Sequence, residues 1–187
     1  MPSSKRGLSL EPSKHLMRAL GRFAPPDHVP ILDAPSGYGR NTLALAEQGY
    51  NVIALDKDIN RLAHLKRSAS GQGYGGDAKS NGKVLALCAD LSADQLPFGE
   101  ATFSAAICIH YPVQRIILDL KAVLKLGGHL YIETFQGHGM NYLELPKAGE
   151  ILYALHDYEM LNYNERPVGP PSERAVVVKA LARKNTV

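Results

Sequence analysis

The sequence predicts an α/β fold, doubly wound around a mostly parallel sheet. Three observations carry that expectation. Short apolar runs alternate with segments of helical periodicity, the order that builds parallel strands joined by crossover helices. The first two runs, 30–34 and 52–55, each bring a carboxylate, Asp33 and Asp56, to the carboxyl end of a strand. The last two, 158–163 and 175–182, are separated by the proline-rich stretch 165–173, which permits an antiparallel hairpin but is too short for a crossover helix.

Residues 1–12 are polar and expected to be loose. Ser13 is placed to cap a helix through Arg22, with Leu16, Met17 and Leu20 on one face and Pro25-Pro26 ending it. The run 30–34 reads as a first strand buried on both sides, and Gly37 and Gly39 break it into a turn that lets a ligand approach the backbone. A helix over 40–48 follows, with Leu43, Ala44 and Ala46 inward and Gly49 as its stop. The second strand, 52–55, closes on Asp56, and Asp58 then caps a helix carrying Ile59, Leu62, Ala63 and Lys66.

The stretch 68–82 holds Gly71, Gly73, Gly75, Gly76 and Gly82 among Ser, Asn and Asp. Its composition predicts a flexible loop, and the lack of a Gly-Lys-Ser/Thr ending removes a phosphate loop from consideration. The third strand, 84–89, runs into Asp90, and the fourth, 103–109, into His110-Tyr111-Pro112. Val113, Ile116, Ile117, Leu120, Val123 and Leu124 recur at helical spacing. Gly127-Gly128 is the expected end of that helix and 130–135 the fifth strand. Ala148, Ile151, Leu152 and Leu155 mark a further helix before the closing hairpin.

At 187 residues the chain is expected to be one domain, 1–187, with a sizeable core. A formal charge of +3 is mild. Basic residues gather at Lys5-Arg6, over 14–22 and at Arg183-Lys184, a pattern more typical of solvated faces than of a nucleic-acid footprint. Cys88 and Cys108 both fall in apolar runs and read as buried thiols of a reducing compartment. No apolar stretch approaches the ~20 residues that span a bilayer, and residues 1–7 lack a signal-peptide core, so the expected location is cytoplasmic, with no membrane partner.

The first turn bears on the cofactor. Asp56 lies 17 residues beyond Gly39, close to the ~20 expected of an acid that binds ribose hydroxyls. A dinucleotide site wants a third glycine where Thr42 stands, and Asp33 would repel a pyrophosphate but attract a cationic amine. S-adenosylmethionine, with an ammonium, a sulfonium and no phosphate, suits the loop better than NAD.

The run 33–42, Asp-Ala-Pro-Ser-Gly-Tyr-Gly-Arg-Asn-Thr, followed by Asp56-Lys57-Asp58, resembles the first two motifs of class I S-adenosylmethionine-dependent methyltransferases. The Gly-Arg-Asn-Thr-Leu continuation is most similar to the small tellurite-resistance-type branch, as is the stretch 149–165 near the end, while 124–130 resembles the family's glycine turn. Pro35 and Ser36 depart from the usual Gly and Cys. The resemblance implies a Rossmann-like, seven-stranded sheet with an antiparallel C-terminal hairpin. It implies cofactor contacts from Asp33, Ala34, Pro35, Gly37, Gly39, Arg40, Asn41, Asp56, Lys57, Asp90, Leu91, Ile109 and His110, with Asp90 accepting from the adenine amino group and S-adenosylhomocysteine as product. The leading helix would then lie near the cofactor.

Methyl transfer from a sulfonium is an in-line displacement, in which positioning supplies most of the rate. Where the acceptor needs a base, His110 and Tyr111 are the candidates, because open α/β sheets bind ligands at the carboxyl ends of their strands. Glu133 and Thr134 are further candidates, and no metal-ligand spacing appears. The leading expectation is methyl transfer to a small molecule. The alternatives are an RNA or protein methyltransferase, or a non-catalytic S-adenosylmethionine- or nucleotide-binding module. Oligomeric state and acceptor identity have no signature in the sequence.

Overall fold

The computed structural model describes residues 11–74, 82–92, 95–136, 146–169 and 175–186. Among them seven strands form one sheet in the order β3-β2-β1-β4-β5-β7-β6. These are β1 Ile31–Asp33, β2 Val52–Asp56, β3 Val84–Cys88, β4 Phe103–Ile109, β5 Leu124–Gln136, β6 Tyr158–Val168 and β7 Ala175–Lys184. Pairings are parallel from β3 to β5, and β7 runs antiparallel to both β5 and β6. The change of direction between β1 and β4 creates a crevice at the carboxyl ends of the central strands. The doubly wound sheet and its C-terminal hairpin are those the sequence predicts.

Helices α1 Lys14–Ala19, α2 Arg40–Glu47 and α3 Ile59–Gly71 lie on one face. Leu16 and Leu45 pack there against Ile31, Val52, Ile107 and Tyr131, and Leu62 and Leu65 against Ala54. On the opposite face α4 Ile117–Val123 and α5 Glu150–Ala154 bury Leu120, Val123 and Ile151 against Leu32, Cys108, Ile132 and Ala180. Alternation along the strands sends Leu130 and Ile132 to one layer and Tyr131 to the other.

Several local expectations need correction. The leading helix becomes a 3-10 turn at Leu20–Arg22, and of its apolar stripe Leu16 alone is fully buried. On α2 the buried positions are Asn41, Thr42, Leu45 and Ala46, while Leu43 and Ala44 are half-buried. The polar pair is turned inward because Asp33 Oδ2 accepts from Thr42 Oγ1 and the Ser13 amide donates to Asn41 Oδ1. Asp58 caps α3 as expected, accepting from the Asn60 and Arg61 amides, but Ile59 is exposed. That helix continues through Gly71, since Ala69 finds a buried contact with Ala46 and Tyr74. The core of the predicted loop, 75–81, lies outside the described residues, as do 1–10 and 170–174.

Cys88 is exposed and Cys108 buried, because β3 is an edge strand and β4 is central. The stripe 113–124 is buried as predicted, but it is split between a 3-10 turn, Val113–Arg115, and α4. Gly127-Gly128 falls inside β5, where the register jumps between Phe103↔Leu124 and Ala105↔His129; the helix has already ended at Val123. On α5 Ile151 and Leu155 are buried, whereas Ala148 and Leu152 are exposed. The closing strands are longer than predicted, β6 running on through Val168. Among the described residues no helix is long and apolar enough to cross a membrane.

Candidate active site

The turn after β1 crosses the carboxyl end of the sheet and delivers the chain into α2. Its Ala34–Pro35 peptide is cis. Gly39 takes φ 83° as the residue before α2, and a Cβ there would lie 2.2 Å from Leu65 Cδ1. Only glycine permits both the left-handed backbone and the close approach of α3. The Gly37 amide donates to Asp56 Oδ2 at 2.8 Å, tying the turn to the end of β2, and the Asp58 amide donates to Asp56 Oδ1 at 2.9 Å. Each carboxylate oxygen has a second lone pair, so acceptor capacity remains.

Beneath the turn, Asp33 is buried. Thr42 Oγ1 donates to its Oδ2 at 2.6 Å, whereas its Oδ1 and Ser36 Oγ are buried with no hydrogen-bond partner among the described residues. Burial pushes the Asp33 carboxyl up to about 7, against the opposing pull of the Thr42 hydrogen bonds. The Cys108 thiol is driven upward too, by burial and then by Asp33.

Above the turn a cleft of about 590 Å³ is lined by Pro35, Gly37, Arg40, Asn41, Asp56 and His110, among others. A second lobe of about 480 Å³ shares Pro35, Asp56, Arg61 and His110 with it and adds Lys57, Asp90, Leu91 and Tyr111. The sequence-predicted residues therefore converge on one crevice from the ends of β1, β2, β3 and β4; Ile109 lines the first lobe as well. Asp33, Ala34 and Gly39 do not line either lobe and act from below the turn or at its junction with α2.

Asp90 is exposed at the far wall. Its Oδ1 accepts from the Ser92 amide at 2.9 Å and hydroxyl at 2.7 Å, bonds that hold the carboxyl below the usual range. His110 stands at the rim with a positive φ of 57°, a conformation that costs energy in a non-glycine residue and is often kept where a side chain must be aimed. Its amide donates to the Glu133 carbonyl at 2.7 Å, and its ring lies along Phe135 at 6.2 Å between centroids. Partial desolvation of the ring, only partly offset by Glu133 and reinforced by Arg40 and Lys179, lowers its pKa. Tyr111 lines the second lobe, and Thr134 Oγ1 donates to its carbonyl at 3.0 Å.

Behind His110 lies a polar network anchored on Glu133. Ser13 Oγ donates to Glu133 Oε2 at 2.7 Å, the Tyr131 hydroxyl donates to the same oxygen at 3.2 Å, and Lys179 Nζ lies 3.5 Å from Oε1. Burial works against the Glu133 charge, but these partners outweigh it and hold the carboxyl below its usual range. The Ser13 amide donates to Asn41 Oδ1 at 2.9 Å, so α1 is locked to the first turn of α2 beside the cleft. The sequence showed a Ser13 cap but not this double link, which depends on residues 28 and 120 positions away. Arg61, His64 and Ser68 of α3, and Gln72 just past its end, also line the cleft. Their signal was present in the helical spacing of 61, 64 and 68, a polar stripe beside the buried Leu62, Leu65 and Ala69.

The donors and acceptors of this crevice suit a cofactor with hydroxyls and a cationic end. Two buried oxygens with no hydrogen-bond partner among the described residues, Asp33 Oδ1 and Ser36 Oγ, lie at the turn, and two carboxylates, Asp56 and Asp90, lie along the crevice. A pyrophosphate would meet these with repulsion.

Comparison with known proteins agrees. A family model described as "Methyltransferase domain" matches residues 31–128, more than half of the chain. No curated protein matches it. Among solved structures the fold is similar to TehB from Haemophilus influenzae, with TM-score 0.73 and 19% identity over 91% of this chain and 62% of that one. It is similar to geranyl diphosphate C-methyltransferase from Streptomyces coelicolor A3(2), with TM-score 0.72 and 14% identity over 91% of this chain and 77% of that one. The [4+2]-cyclase SpnF shares the fold too, at TM-score 0.71 and 16% identity over 91% of this chain and 80% of that one. The chain belongs to the methyltransferase-domain family, as a class I S-adenosylmethionine-dependent enzyme.

Proposed function

We propose that this protein transfers the methyl group of S-adenosylmethionine to a small-molecule acceptor. The observation that carries the proposal is the shared crevice, in which Asp56, Asp90 and the Gly37 turn face one lobe system that ends at His110 and Tyr111. Asp56 receives the ribose hydroxyls, Asp90 the adenine amino group with Leu91 and Ile109 as apolar contacts, and Arg40, Asn41 and the turn 34–39 hold the methionine end. Lys57 flanks the ribose. Asp33, raised to about 7 by burial, supplies negative potential from below the turn once a nearby ammonium favours its ionised form. The geranyl diphosphate C-methyltransferase, a fold neighbour, acts on a small molecule, which supports that substrate class here.

The cofactor supplies an electrophilic methyl group. The chain's own part is to hold the acceptor in line with it, and His110 is the group at the rim able to take a proton, being neutral at pH 7 because its pKa is lowered. Tyr111 shapes the acceptor side. A screen reading S-adenosylhomocysteine release over oxyanions such as tellurite and selenite, thiols, amines, carboxylates and tRNA tests the proposal. Release with a small acceptor supports it; release with tRNA alone overturns it.

A further inference from the structure

Beyond the cleft, on the face that carries α1, a groove of about 360 Å³ runs between that helix and the β7–β6 hairpin. His15, Arg18 and Arg22 come to it from the helix and its 3-10 extension, and Lys179 from β7. Asn162 and Asn164 of β6 line it as well, and no Asp or Glu does among the described residues. A fifth basic group, Arg166, lies close by. Lys179, Arg18 and Arg166 each lower the pKa of His15, after desolvation, and Glu133 alone opposes them. Basic groups from three elements thus converge on one place. Like charges repel unless an anion sits between them.

The charges are not consumed internally. Arg22 donates to a neutral carbonyl, that of Leu161, at 2.6 Å, and so keeps its full charge. Among the described residues Lys179 is the one member paired with a carboxylate, Glu133 at 3.5 Å, and that carboxylate is itself shared with Ser13 and Tyr131. Three permanent cations and a histidine exceed what a single carboxylate would balance. Guanidinium groups match phosphate oxygens in geometry as well as charge.

Position ties the groove to the reaction. Lys179 pairs in register with Glu133 on β5, and the Glu133 carbonyl accepts from the His110 amide at 2.7 Å. One residue, Glu133, therefore separates the cationic groove from the rim of the cleft. We propose that the groove between α1 and the β7–β6 hairpin is the anchoring subsite for a phosphate-bearing methyl acceptor, whose phosphate lies among His15, Arg18 and Lys179. The inference rests on the small-molecule reading above and names its substrate class.

Inorganic pyrophosphate is the probe, titrated calorimetrically into the full chain at constant ionic strength, with wild type compared with Arg18→Glu and Asn164→Asp. Both positions are exposed and neither lines the cofactor cleft, so folding and S-adenosylmethionine affinity should be retained. Pyrophosphate should bind the wild type and weaken by about tenfold or more in Arg18→Glu, as loss of a charged hydrogen-bond donor plus added repulsion requires. Asn164→Asp should weaken it less, in the same direction. In the activity arm, a phosphorylated acceptor should show a raised KM and unchanged kcat in Arg18→Glu, while its dephosphorylated counterpart is indifferent to the substitution. Equal pyrophosphate affinity in all three chains overturns the subsite. So does binding of single-stranded RNA, steeply salt-dependent, that pyrophosphate does not displace, since the groove would then be a nucleic-acid contact. Absence of S-adenosylhomocysteine release with every acceptor would instead sink the methyl-transfer reading, and the pyrophosphate titration would still decide the groove.

Discussion

Asp33 holds a proton at a pH where an ordinary aspartate has none, because burial raises its carboxyl to about 7 and one oxygen has no partner. Between the unfolded value, about 4, and that folded value the native chain binds a proton the unfolded chain has released. Stability therefore falls as pH rises through this range and levels off above it. Asp33→Asn keeps an acceptor for Thr42 and removes the ionisation, so in urea titrations without cofactor it should exceed wild type at pH 8 by roughly 1–4 kcal/mol and match it near pH 4. Parallel pH profiles for the two chains would show that Asp33 is ionised at no cost. Asp56→Ala should weaken S-adenosylmethionine and S-adenosylhomocysteine alike by about tenfold or more, the worth of charged hydrogen bonds; undiminished calorimetric affinity in the folded variant removes the ribose assignment. His110→Ala should cut methyl transfer by roughly 10²–10⁴ with cofactor affinity intact if His110 is the base. Since its pKa is lowered, the wild-type rate should hold down to about pH 6.5 and fall only on further acidification. A rate flat to pH 5, with chemistry rate-limiting, leaves positioning as the whole mechanism.

At the scale of elements, the junction of the β1 turn with α2 and α3 decides whether the cleft exists. Gly39 must take a left-handed backbone while Leu65, fully buried, presses on the position a Cβ would fill. Gly39→Ala should cost roughly 1–3 kcal/mol, the usual range for backbone strain plus overpacking, and should loosen cofactor binding as α3 is displaced. A thermal melt that matches wild type would mean that the junction yields without cost. The glycine itself was legible in the sequence, from its place between a strand and a helix. Its contact with Leu65 was not, because nothing local links positions 39 and 65. The same holds for Gly127-Gly128: two glycines after a helical stripe suggest a helix end, but the stop occurs at Val123 and the glycines serve the register jump beside β4. Burial on edge strands was equally hidden, as Cys88 and Cys108 sit in similar apolar runs and differ only in strand order.

For the whole molecule, the doubly wound architecture with its closing antiparallel pair was the recoverable part, because alternating apolar runs and helical stretches leave few ways to wind a sheet. Asp56, Asp90 and His110 come to one lobe for a related reason: the carboxyl ends of parallel strands meet at one crevice. What sequence could not supply is the opposite direction of inference, from crevice to chain, which brings in Arg61 and His64 from α3 and the Ser13–Glu133–Asn41 link from α1. That link makes the shape of the cleft a property of the fold rather than of one loop, because α1, α2 and β5 all bear on it. A ligand that binds only the folded chain stabilises it by about 2.7 kcal/mol when present at 100 times its Kd. For a chain of this length roughly 2–4 °C accompanies each kcal/mol. S-adenosylmethionine and S-adenosylhomocysteine at such saturation should therefore raise the melting temperature by about 5–10 °C, and NAD at equal concentration should leave it unchanged. Scanning fluorimetry with the three ligands reads this directly. A shift with NAD and none with the sulfonium cofactor would overturn the chemical reading of the crevice, whereas a shift with S-adenosylmethionine that vanishes in Asp56→Ala would tie the stabilisation of the whole fold to that one carboxylate.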